Sequence, residues 1–150
     1  MIWITEQVAT SGAEITPDDW LAIFAEYRFS AVLNMRAEHP DHFAPPLPTA
    51  YLWLPVKDFT DPTPDQMLIG SLFIDQVVQS GGRVLIHCNV GIGRSPTMAA
   101  AYLVWTGLPV KEAIQLVEEA GKGPYGPVIR KDTIKEFAAL LKSRREKKGD

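Results

Sequence analysis

Short continuous apolar runs alternate along this chain with longer segments whose apolar positions recur at helical spacing. Two β-branched or aromatic runs, residues 2–4 and 8–10, open the sequence and predict a small hairpin or edge strands. Thr16, Pro17, Asp18 and Asp19 then spell a helix start: a capping side chain, proline at the first helical position, and acids at the positive end of the dipole. The helix is expected to run to about Tyr27. Residues 31–34 and 51–54 read as strands on either side of a proline-rich loop, 36–48. Thr63, Pro64 and Asp65 repeat the helix signature, and Met67, Leu68, Leu72, Ile74, Val77 and Val78 carry an apolar stripe that Gly81 and Gly82 stop. Val84, Leu85 and Ile86 form an uninterrupted apolar run ending in His87, suited to a strand covered on both faces. Helices are expected over 95–105, 110–120 and 131–144. Strands separated by helices indicate an α/β fold with a central, mainly parallel sheet of four to five strands flanked by helices.

Composition narrows this to one domain spanning residues 1–150. The chain is 46% apolar and 22% charged over 150 residues, as expected of a soluble globular domain large enough to build a core without disulfides or a structural metal. Fifteen Lys and Arg against 18 Asp and Glu give a net charge of −3, which argues against gripping nucleic acid or anionic lipid by bulk charge. Residues 1–10 contain Glu6, no basic segment and no long apolar stretch, and the longest clean apolar run, 98–105, is too short to span a bilayer. The expectation is a cytoplasmic monomer with no membrane or nucleic-acid partner. The basic end, Lys142, Arg144, Arg145, Lys147 and Lys148, reads as a solvated helix terminus.

The stretch His87, Cys88, Asn89, Val90, Gly91, Ile92, Gly93, Arg94, Ser95 lies between the most buried strand and an alanine-rich helix. In open α/β sheets ligands bind beyond the carboxyl ends of strands, which is where this loop falls. Successive backbone N–H groups, made compact by Gly91 and Gly93 and continued into a helix N-terminus, form a nest for a tetrahedral dianion, and the planar fork of Arg94 can close it. The same positive field favours the ionised form of a thiol at its base, so Cys88 is the expected nucleophile. Ser95, at the helix start, is placed to cap the helix or to reach back to the sulfur.

The pattern His-Cys-x-x-Gly-x-x-Arg-Ser resembles the phosphate-binding loop of the cysteine-dependent protein tyrosine phosphatases. Ser95-Pro96-Thr97 and Ala101-Tyr102-Leu103 resemble the small dual-specificity branch, and weaker similarity runs from about Ala31 to Leu141. The resemblance implies a three-layer sandwich around a largely parallel sheet. It also implies hydrolysis of phosphotyrosine, with phosphoserine and phosphothreonine left open, on a protein or peptide through a cysteinyl-phosphate, without metal or cofactor. Cys88 to Arg94 would hold the phosphate, His87 would orient the loop, and Ser95 would assist the leaving thiolate. Many dual-specificity members carry Ser where this chain has Gly93, which leaves the substrate class open. Asn89, Val90 and Ile92 lack the lysines suited to inositol phosphates. The other readings are a catalytically weak phosphate-binding module, a phosphatase for a non-protein phosphoester, and another thiol enzyme such as an arsenate reductase or a sulfur transferase. The usual arsenate reductase needs resolving thiols that this chain lacks.

A leaving alkoxide needs a proton donor opposite the nucleophile. In the family an acid on a loop after a strand supplies it, and Asp58 is preferred over Asp61, which precedes Pro62 and is explained by turn chemistry. Arg36 and Glu38, just past a strand end, are positioned to brace Arg94 or touch substrate, yet a surface pair is their default. Lys57, Lys122, Arg130, Lys131 and Asp132 read as solvated surface that could edge the pocket. His39 and His42 have no thiol or third histidine nearby in sequence, so no metal is expected.

Overall fold

The computed structural model describes residues 1–12 and 14–149. Among these the chain forms strands β1 (Ile2–Trp3), β2 (Val8–Ser11), β3 (Ala31–Arg36), β4 (Ala50–Val56) and β5 (Val84–His87), and helices α1 (Pro17–Tyr27), α2 (Pro64–Gln79), α3 (Arg94–Trp105), α4 (Val110–Ala120) and α5 (Lys131–Gly149). The two helix-start signatures are realised as full capping boxes. Thr16 pairs reciprocally with Asp19, and Thr63 with Gln66, satisfying backbone donors that the first turn would otherwise leave open.

One sheet carries the strands in the order β1-β2-β5-β3-β4. β2, β5, β3 and β4 run parallel, and β1 pairs antiparallel with β2 as the expected hairpin. Alternation along each strand sorts its side chains onto two faces. Val8, Leu33, Val84 and Ile86 join the larger core beneath α2, α3, α4 and α5. Ala9, Val32 and Leu85 join a smaller one against Trp20 of α1, with Phe29 and Ile15. The result is the expected three-layer arrangement, with β5 in the middle strand position and covered on both faces.

Two strands outrun their predicted ends. β3 continues through Met35 and Arg36, and β4 through Pro55 to Val56. Proline reads as a breaker, but β4 is the outer strand of the sheet, where a residue with no N–H to donate leaves the ladder to β3 intact. No helix among the described residues is long and apolar enough to cross a membrane.

Candidate active site

Because four strands point the same way, their carboxyl ends meet at one edge of the sheet, and each delivers a different part of the site. β5 ends in His87 and runs directly into the 88–93 loop and α3. Cys88 is buried, its N–H donates to Ser11 O (3.3 Å), and its Sγ accepts the N–H of Gly91 at 3.2 Å. Gly91, whose N–H meets the sulfur, has φ +80°, a backbone state that side-chain-bearing residues rarely adopt. β2 supports the loop from beside it. A Cβ added to Gly12 would lie 2.5 Å from the carbonyl carbon of Val90, so backbone packs directly on backbone there. Sequence reading missed Gly12, whose only signal is a glycine immediately beyond a strand end.

β3 and β4 supply what holds Arg94. Its Nη1 donates to Glu38 Oε1 (2.6 Å) and to the Val56 carbonyl (2.7 Å), and its Nη2 to Glu38 Oε2 (3.0 Å). Asp58 Oδ1 stands 3.5 Å from the same Nη2 and accepts the N–H of Phe59 (3.0 Å). Burial alone would lower the pKa of Arg94, but the hydrogen bonds and charge of Glu38, with Cys88 and Asp58, raise it above its ordinary value. The bonds from Arg94 in turn hold the carboxyl of Glu38 below the usual carboxylate range. Glu38 is therefore no mere surface pair: it is the two-pronged partner that fixes the guanidinium plane.

Under the loop, on the α1 face, sits a buried polar group. His87 Nε2 donates to Asp41 Oδ2 at 2.5 Å, and Arg36 Nη2 lies 3.9 Å from Asp41 Oδ1. Asn34, paired with His87 across the β3–β5 ladder, donates to Tyr51 Oη (3.1 Å), which also accepts the Asp41 N–H (2.9 Å). Arg36 is thus buried rather than on the surface. Asp41 was not singled out from the sequence, where it sits in a proline-rich loop between two histidines with nothing local to mark it.

The cleft above Cys88 has a volume of about 310 Å³ and is lined by Asp58, Phe59, Val90, Ile92, Arg94 and Arg130, among others. Arg130 therefore edges the cleft, against its default assignment to solvated surface. Phe59, Val90 and Val128 stand exposed around the mouth. Asp58 and Cys88 share the cleft, whereas Asp61 is turned away to Arg130 Nε (3.1 Å) and the Thr133 hydroxyl.

Two further expectations are corrected. Ser95 is buried, but α3 starts at Arg94 with Gly93 as its N-cap and no side-chain cap, and the Ser95 hydroxyl has no hydrogen-bond partner among the described residues. It makes neither the capping bond nor the bond to sulfur. Gly93 has φ −116°, and a Cβ there would meet nothing nearer than Val128 O at 3.9 Å, so it is not what makes the loop compact.

The model of the dual specificity phosphatase catalytic domain matches residues 15–147. Dual specificity protein phosphatase 2 of Mus musculus is 43% identical over 82 residues, covering 50% of this chain and 23% of its own length. Dual specificity protein phosphatase 5 of Homo sapiens is 36% identical over 97 residues, covering 63% of this chain and 25% of its own length. The chain thus spans about a quarter of the length of these curated relatives. Among solved structures, Tk-PTP in its active form superposes with a TM-score of 0.73 at 28% identity, over 95% of both chains. With its thiol, arginine and glycine-turned loop at the carboxyl edge of a parallel sheet, the chain belongs to the dual specificity phosphatase catalytic-domain family.

Proposed function

We propose that this chain hydrolyses phosphotyrosine in proteins or peptides by a two-step covalent route. The observation that carries the reading is the convergence on one cleft of Cys88 Sγ, held by the Gly91 N–H, with Arg94 and Asp58. The N–H groups of 89–93 and the Arg94 guanidinium receive the phosphoryl oxygens, and the Cys88 thiolate attacks phosphorus in line with the leaving oxygen. As the P–O bond breaks, Asp58 gives its proton to that oxygen. Asp58, now a carboxylate, takes a proton from water, whose oxygen attacks the cysteinyl-phosphate; inorganic phosphate leaves and the thiolate returns. Glu38 and the buried Asp41–His87 pair hold the arginine and the loop for this. No metal or cofactor enters the sequence of steps.

The rim favours an aryl ester. Phe59, Val90 and Val128 expose apolar surface at the mouth, 86%, 64% and 60% respectively, and a phenyl ring bearing the phosphate would cover it. Matched phosphotyrosine and phosphothreonine peptides test this. Faster turnover of the phosphotyrosine peptide is expected, and equal kcat/KM on the two would refute the preference while leaving the chemistry standing.

A further inference from the structure

The loop bearing Asp58 is a small closed turn. Thr60 donates its N–H (3.1 Å) and its hydroxyl (2.5 Å) to the Lys57 carbonyl, and Phe59 inside it adopts φ +62°, unusual for a bulky side chain. A turn closed in this way moves as a body, so whatever holds its far end also sets where Asp58 points. That far end is Asp61. One carboxylate oxygen meets Arg130 Nε at 3.1 Å and the other accepts the hydroxyl of Thr133, which is buried in the first turn of α5.

The segment that reaches across to Asp61 is itself strapped to the nest. The Val128 N–H donates to the Ile92 carbonyl at 2.7 Å, and the Arg130 N–H donates to the Thr97 hydroxyl at 3.2 Å. The Arg130 carbonyl then opens α5 by accepting the Ile134 N–H (3.1 Å). A continuous path therefore runs from the 88–93 loop through residues 128–130 to Asp61, and through the closed turn to Asp58.

We propose that Asp61, Arg130 and Thr133 are positioning residues that register the proton donor on the phosphate nest, with residues 128–130 as the ruler between them. The proposal rests on Asp58 being that donor. Asp61 acts through Asp58 and has no contact with the reacting atoms. A displacement of about 1 Å in a catalytic group costs up to about a hundredfold in rate, so modest bonds at the far end of a rigid turn have leverage on turnover that their own strength does not suggest.

The test uses a series of aryl phosphates of graded leaving-group acidity on the whole chain, comparing wild type with Asp61→Asn, Thr133→Val, Thr133→Ser and Asp58→Asn. For Asp61→Asn and Thr133→Val, kcat should fall about tenfold on the poorest leaving groups and less than about threefold on nitrophenyl phosphate, with inhibition by inorganic phosphate within about twofold of wild type. Thr133→Ser, which keeps the hydroxyl, should restore the wild-type profile. Should Asp61→Asn fail to fold, the Thr133→Val and Thr133→Ser pair reads the same anchor from the α5 side. An equal loss on all leaving groups, or none, while Asp58→Asn steepens the dependence, overturns the registering role and leaves the acid assignment intact. If Asp58→Asn leaves the dependence flat, the acid assignment itself falls, and the proposal with it.

Discussion

The floor of the cleft and its mouth are built on opposite principles. Around the sulfur the titratable groups are paired and, Glu38 apart, buried: Arg94 with the partly open Glu38, His87 with Asp41, Asp41 facing Arg36. At the mouth Asp58 is 42% exposed on a turn whose anchoring pair, Asp61 with Arg130, is about as open. Under the proposed function, the contrast follows from what each has to do. Groups that meet a dianion must already be oriented, since reorganising them during reaction would consume the stabilisation they provide. A proton donor must instead exchange protons with water and let product leave, which a sealed position would prevent.

The sharpest way to break the contrast is at the floor. Cys88→Ser should lower aryl-phosphate hydrolysis by roughly 10⁴-fold or more while leaving phosphate binding measurable by calorimetry. At the mouth, Asp58→Asn should cost about 10² to 10³ in kcat with little change in KM, and should remove the limb of the pH–rate profile that reports the acid. Stability should divide the two regions the other way. Asp41→Ala takes the carboxylate from a buried pair and is expected to cost about 3 kcal/mol in urea unfolding, whereas a comparable change at half-open Asp58 should be nearly silent.

How legible the two regions were differs as well. The 88–95 loop announced itself because its parts are contiguous, and the capping boxes at Thr16 and Thr63 because capping is local chemistry. Asp58 was reachable as a carboxylate placed just past a strand, and it lines the cleft with Cys88. Glu38 was named as a possible brace for Arg94 but ranked below a surface pair, and Asp41 was not named at all, because both roles depend on β3 lying beside β5, a neighbourhood set by the sheet order rather than by anything within reach along the chain. Gly93 was misjudged for a related reason: its residue type invites a conformational role that only Gly91 fills. Ser95 was assigned by its neighbours in sequence, whereas α3 begins one residue earlier and the hydroxyl bonds neither expected partner.

Glu38 gives a smaller, pH-dependent reading of the same contrast. Arg94 holds its carboxyl below the usual range, so the folded chain keeps it charged to lower pH than the unfolded chain does. That stabilisation is complete above the ordinary carboxylate value and is lost as pH falls through the lowered one. With 32% of its side chain open to solvent, it is worth about 1 kcal/mol after screening. Thermal melts of wild type and Glu38→Gln should differ near neutrality and converge in acid; a constant gap would show that Glu38 acts through shape rather than charge. The smallest effect belongs to Gly93→Ser, which has room for its side chain and should move the melting midpoint by less than about 0.5 kcal/mol equivalent.

The two margins of the sheet carry a consequence for the protein at high concentration. A long outer strand normally presents a ladder of free donors and acceptors on which a second molecule can grow, the first step toward fibrous deposits. Here one margin is the two-residue β1, and the other is interrupted by Pro55. The first offers almost nothing to pair with and the second loses one donor near its end, so both margins are curtailed as templates for recruitment, and Pro55→Val is the change that would extend the outer one.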